Sequence, residues 1–176
     1  MKQSGFTIIE LVISVAIIAF IVAMTFFSLN SYSDSKRLIN DTELIQEKIG
    51  QLRSLALAGY QIDSTLPNCF GFVIDENNQD YYLYADMDNN YYFDNINDEI
   101  IEKHALSKSI LFQKSVANTD EFCFKPYIFS EHVCNTSADC GNNIEDDISL
   151  ILINTKIGQS ENIIVNKLSG FTYLKQ

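Results

Sequence analysis

The chain has 176 residues, 23 of them acidic and 12 basic, for a formal net charge of −11. Apolar residues make up 47% and aromatics 12%, which excludes a disordered chain, and the length suits one ordinary globular domain. So acidic a surface repels phosphate and anionic headgroups, which argues against sequence-independent nucleic-acid binding.

The first element is apolar. Residues 11–27 read LVISVAIIAFIVAMTFF, 17 residues without a charge, Pro or Gly. From Phe6 to Leu29 the stretch is 24 residues, with Glu10 its one charge. A bilayer core of about 30 Å needs about 20 helical residues, so this segment is long enough to span. A conventional cleaved signal has a shorter core followed by a polar region and cleavage site, which this sequence lacks. Flanking charges leave the orientation open: Lys2 precedes the span, and Lys36 and Arg37 follow it, partly offset by Asp34. Glu10 stands out, because a carboxylate at the centre of a membrane helix costs about 2.5–3.5 kcal/mol on insertion scales. The plainer alternative places it near the interface, reaching water.

The string MKQSGFTIIELVISVAIIAFIVA resembles the class III signal of type IV prepilins and type II secretion pseudopilins. That pattern is a short leader ending in Gly, then Phe-Thr-(apolar)-Ile-Glu-Leu and a long apolar helix. The resemblance implies cleavage after Gly5 by a membrane prepilin peptidase, which also N-methylates the new terminus, Phe6. It implies as partners other pilin or pseudopilin subunits, that peptidase and methyltransferase, and the membrane. The place implied is the cytoplasmic (inner) membrane, crossed once, with the C-terminal domain exported and assembled into a pilus or pseudopilus.

Elementary electrostatics gives that arrangement a logic. Cutting after Gly5 removes Lys2 and leaves an amine on Phe6, four residues before Glu10 and on the same helix face. In a filament Glu10 could instead meet the amine of a neighbouring subunit, offsetting the desolvation of a lone buried charge and fixing the register. Phe6 and Glu10 are therefore the candidate assembly residues, and Gly5 and Phe6 the candidate processing site.

The helix is expected to continue. Leu38, Ile45, Ile49, Leu52 and Ala56 recur at three- or four-residue spacing, Thr42 fills the one gap, and Gly59 supplies a stop. The expected division is a leader over 1–5, an assembly helix over 6–29, its amphipathic continuation over 30–59, and an exported β-rich domain over 60–176. Within that domain strands are expected at 69–74, 81–85, 99–106, 109–115, 121–129, 148–155 and 162–167, with a further short one at 171–174. No crossover helix interrupts them, so the sheet should be largely antiparallel. The fold class is thus α+β, a long helix laid against an antiparallel sheet, and the resemblance implies that this is the pilin fold. The blocks Gly71–Ile74, Tyr82–Asp86, Asn90…Asp94…Glu99-Ile100 and Ile164–Gly170 resemble H-type minor pseudopilins and related minor pilins. The apolar helix also lacks the Pro common in major pilins, which favours a minor subunit.

Between residues 75 and 102 there are nine acids and no base. Asp86, Asp88 and Asn90 mimic the opening of an EF-hand loop, with Asp94 and Asp98 following, so calcium is the candidate cofactor. Tyr91 stands where that loop needs Gly and Asn97 where it needs a bidentate acid, and the flanks read as strands. The plainer reading is a solvated Asp/Asn-rich turn. A rival function follows from the cation: a permanently anchored, extracytoplasmic calcium-dependent binding or adhesive module.

The four cysteines, Cys69, Cys123, Cys134 and Cys140, suit an oxidising, exported domain with three pairings open. The preferred set is Cys69–Cys123 tying strands and Cys134–Cys140 closing a small loop. Such disulfides would also place the domain outside the cytoplasm. A zinc site is disfavoured, since no Cys-x-x-Cys spacing occurs and His132 is the one nearby histidine. No enzyme is expected: His104 and His132 lack a neighbouring nucleophile motif, and no phosphate-binding Gly loop occurs among seven glycines.

Overall fold

A computed structural model of the chain describes residues 7–75, 79–91, 93–113, 121–126, 131–132, 147–166 and 169–175. It opens with α1 (Ile8–Ala58), 51 residues in one uninterrupted helix, about 76 Å long at 1.5 Å per residue. Thr7 caps its start and Gly59 its end, the latter in the left-handed region at φ 60.

The two halves of α1 differ in what covers them. Ile8, Leu11, Val15, Ile18, Phe20 and Val22 stand exposed, as does Leu29 at the end of the apolar run. Beyond it Leu38, Thr42, Ile45, Ile49, Leu52 and Ala56 are all buried, the face that the three- and four-residue spacing picks out. Thr42 fits among apolar neighbours because its hydroxyl donates to the Leu38 carbonyl at 2.7 Å.

Among the described residues nine strands follow: β1 (Cys69–Asp75), β2 (Asp80–Asp86), β3 (Glu99–Ala105), β4 (Ile110–Gln113), β5 (Glu121–Phe124), β6 (Glu131–His132), β7 (Ile148–Asn154), β8 (Gln159–Val165) and β9 (Thr172–Leu174). They form two sheets, ordered β3-β2-β1-β5-β6 and β4-β7-β8-β9, and every pairing is antiparallel. Both sheets contribute to one core with the second half of α1, including Phe70, Phe72, Leu83 and Phe122 from the first and Ile148, Leu150, Leu152 and Ile163 from the second.

The single sheet expected from sequence is therefore two. The break falls after β3, where the Ser107 backbone N–H donates to Asp41 of α1 at 2.9 Å. That bond holds the chain on the helix, and β4 then pairs with the distant β7 rather than with β3. Strand β8 starts at Gln159, three residues earlier than expected, because Gln159 pairs with Asn154 across the tight β7–β8 turn.

The direction of each strand along α1 follows from its contacts. Ser107 meets the helix at Asp41, whereas Glu102 meets it at Lys48 and Gln51. Strand β3 thus runs back toward the apolar half of α1, and antiparallel β2 runs away from it. Asp86, at the end of β2, lies at the far end of the domain.

Candidate functional site

The apolar half of α1 and the acidic loop at the distal end are the two places where chemistry and sequence motif coincide. Gly5 and Phe6 lie outside the described residues, so the first placed group is Thr7. Thr7 and Glu10 make a reciprocal capping box. The Thr7 backbone N–H and hydroxyl donate to Glu10 Oε2 at 2.8 and 2.7 Å, and the Glu10 N–H donates to Thr7 Oγ1 at 3.4 Å. A single chain thereby gives one oxygen of the carboxylate in the apolar run two partners. Behind it α1 is long and apolar enough to cross a membrane, and its apolar window is wholly uncovered by the rest of the chain.

At the other end, the loop between β2 and β3 is built on Asp86. Its Oδ1 accepts from the backbone N–H groups of Asp88 and Asn89 at 3.1 and 2.8 Å, and its Oδ2 from Tyr91 at 3.1 Å. These bonds wind the chain into a tight turn in which Asn89 and Tyr91 take φ 65 and φ 63. Tyr91 thus adopts the left-handed backbone that its glycine counterpart would adopt more cheaply. Asp98 accepts from the Met87 N–H at 3.1 Å and the Asp94 N–H at 2.8 Å.

Of the four candidate carboxylates three converge: oxygens of Asp86, Asp88 and Asp98 all lie within 4.8 Å of one another. Asn90 lies beside this group, and Asp94 is engaged in its own turn. The Asn90 amide donates to Asp88 at 2.9 Å and Asp94 at 3.3 Å, and Asp94 also caps its own turn through Ile96 and Asn97. The loop joins two strands, so it is not an EF-hand.

Burial at this end is costly for the acids. Desolvation pushes Asp98 up to about 6 and raises Asp86 as well, whereas the Asn97 amide and backbone hold Asp94 below the ordinary range. A fourth acid belongs to the same neighbourhood. Glu121, at the start of β5, is desolvated and pushed up to about 7, with the Asp98 and Asp86 charges adding to the rise. Its Oε1 accepts from the Tyr84 hydroxyl at 2.6 Å and from the Phe93 backbone N–H. The sequence reading missed Glu121. The available signal was an acid opening a four-residue strand otherwise made of Phe, Cys and Phe.

Cys69 and Cys123 are joined by a disulfide between β1 and β5, with Cα atoms 5.7 Å apart. Cys69 Sγ lies 3.8 Å from Asp86 Oδ2, so the crosslink braces the strand that leads into the acidic loop. Cys134 and Cys140 lie outside the described residues. His104 stacks on Tyr81 with ring centroids 5.2 Å apart and reaches Glu102 at 2.7 Å. His132 is placed only as part of β6. Tyr81 and Tyr84 are core residues, and Tyr82 stacks on Phe93.

The architecture is an α+β protein with a membrane-length helix, an arrangement consistent with the pilin fold. Residues 1–26 match the family model described as the prokaryotic N-terminal methylation motif, which supports a pilin- or pseudopilin-like subunit processed at its N-terminus. No curated protein and no solved structure matches the chain.

Proposed function

We propose that the chain is a prepilin-like structural subunit, cut after Gly5, anchored in the cytoplasmic membrane by residues 6–29, and assembled through that helix into a pilus or a type II secretion pseudopilus. The observation that carries this reading is one helix with two fates. The described residues of its matched half, 7–26, are exposed, while its second half buries one face in its own domain. An exposed apolar surface of that extent needs lipid or sister helices to cover it. A minor or tip subunit of the H-type kind is the finer assignment, supported by the resemblance of the strand blocks and the Pro-free span.

In this reading Glu10 exchanges its Thr7 partners for the Phe6 amine of a neighbouring subunit. Mass spectrometry of the mature chain tests processing: the N-terminus should be a methylated Phe6, and an intact Met1 leader on assembled protein would refute the proposal. Glu10→Ala should still insert in the membrane yet fail to be recruited into filaments, and normal recruitment would sink the role of Glu10.

A second reading attaches to the distal loop, where the convergence of Asp86, Asp88 and Asp98 suits a Ca²⁺ ion. In its strongest form the protein is a permanently anchored, calcium-dependent binding module. The intact leader that would refute processing is the result this reading expects.

A further inference from the structure

The charges of this acidic protein are sorted along the helix, and the end nearest the apolar span is basic. Three segments meet there. The β7–β8 turn is pinned to α1 by Asn154, whose amide donates to the Asp34 carbonyl at 2.8 Å, and by Gln159, which accepts from the Ser35 hydroxyl at 2.9 Å. The start of β4 joins them, since the Thr155 N–H donates to the Ser109 carbonyl at 2.9 Å. Residues 30–39, 107–109 and 154–160 together hold four bases, Lys36, Arg37, Lys108 and Lys156, against the single acid Asp34. Arg37 and Lys156 both lie 3.5 Å from that acid, so one carboxylate is shared between two cations.

A second acid, Asp41, stands at the collar's upper edge, where it accepts from Ser107, and above it Asp80 is paired with Lys103 at 2.7 Å. The Asp86, Asp88 and Asp98 group lies at the opposite end of the domain. Residues 60–106 carry ten acids against Lys103 alone.

We infer that this basic collar is a seat for anionic lipid headgroups, holding the anchored subunit upright on the membrane. The inference rests on the anchored reading above. Two observations choose lipid as the occupant. First, the collar is continuous with the span: Tyr32 and Lys36 lie three and seven residues beyond Leu29, about 5 and 10 Å along the helix. The polar zone of a leaflet is about 6 Å deep, and long basic side chains reach back toward it. Second, Tyr32 is 62% exposed, an aromatic side chain of the kind enriched at membrane interfaces, and Lys36 Nζ lies 5.9 Å from its ring centroid. The acid-rich distal end would be repelled by the same surface, so lipid charge orients the domain rather than merely attracting it.

The test is lysine acylation of the full chain in vesicles of phosphatidylcholine alone or mixed with phosphatidylglycerol, read by peptide mass spectrometry. Lys36, Lys108 and Lys156 should react about fivefold more slowly in the anionic vesicles, while Lys103 and Lys175 react equally in both. High salt should abolish the difference. In the K36Q/K156Q variant, whose altered side chains are exposed, the protection of Lys108 should fall. Equal rates in the two vesicles would overturn the seat, as would protection that follows protein density rather than lipid charge, the signature of a second copy of this chain. Flotation with salt-washed neutral vesicles reads the anchor separately. A chain that floats without lipid-dependent protection refutes the seat alone, and one that does not float refutes the anchor and the seat with it.

Discussion

Lys48 of α1 and Glu102 of β3 meet with Nζ 2.6 Å from Oε2. Gln51 adds a bond to Oε1 at 3.0 Å and His104 one to Oε2 at 2.7 Å, so one carboxylate ties the helix to an edge strand. The Lys48 and His104 bonds hold Glu102 at about 2, against 4.5 for an ordinary glutamate. A carboxyl group depressed by folding contributes stability above its unfolded value and loses it as pH falls toward its folded value. Stability should therefore decline between roughly pH 4.5 and pH 2. Glu102 is 30% exposed, so screening trims the contribution to about 1 kcal/mol. Lys48→Met should remove most of that pH dependence, read as the urea midpoint at pH 6 and at pH 3.

Gly71 faces Tyr84 across the β1–β2 pair, and a Cβ at Gly71 would overlap the Tyr84 ring. The ring is fully buried and its hydroxyl is committed to Glu121, so it has nowhere to retreat without breaking that bond. Gly71→Ala should cost about 3 kcal/mol. Chemical denaturation checks it, and a loss under 1 kcal/mol would mean that Tyr84 repacks freely.

These two contacts mark the division between what is legible in the chain and what is not. The buried stripe from Leu38 to Ala56 and the Gly59 stop follow from local rules, since spacing and a left-handed cap need no knowledge of the rest. Strand β7 is legible for the same reason: Ile148, Leu150 and Leu152 alternate inward while Ser149, Ile151 and Ile153 are less buried. Partner choice is not local. Nothing in residues 106–110 announces that Ser107 will bond Asp41 and divert the chain into a second sheet. Glu121 escaped for a related reason: the burial and the two aspartates that raise its cost, and the Tyr84 and Phe93 bonds that offset it, are assembled only by the fold. The acidic loop was visible as composition, but which carboxylates converge depended on Asp94 being spent on its own turn.

Glu121 makes the opposite pH prediction. Its carboxyl rises from 4.5 to about 7 on folding, so the folded chain binds the extra proton. The stability that this proton confers is complete below about pH 4.5 and is lost as pH rises through 7, an effect on the order of 3 kcal/mol. Glu121→Gln keeps an oxygen for the Tyr84 hydroxyl and the Phe93 N–H while removing the charge. In EDTA at pH 8 the variant should melt higher than the parent, and the two should converge at pH 5. A variant that melts lower at both values would show that the negative charge itself supports the loop.

The carboxylates of Asp86, Asp88 and Asp98 then give the cation its own test. Packed within 4.8 Å of one another, they repel, and a bound Ca²⁺ would turn that repulsion into ligation. Binding only to the folded state adds about 2.7 kcal/mol when free Ca²⁺ is a hundredfold above its Kd, or roughly 5–10 °C in a domain of this size. EDTA should lower the melting temperature by that amount, and Ca²⁺ should restore it. Asp88→Asn is the discriminating variant, because Asp88 is the exposed member of the three and its loss leaves the Asp86 turn bonds intact. The variant should melt as the EDTA-treated parent does, or slightly higher as repulsion is relieved, and gain nothing from Ca²⁺. If instead parent and variant respond alike to Ca²⁺, or neither responds, the loop is held by its hydrogen bonds and the cation plays no part in it.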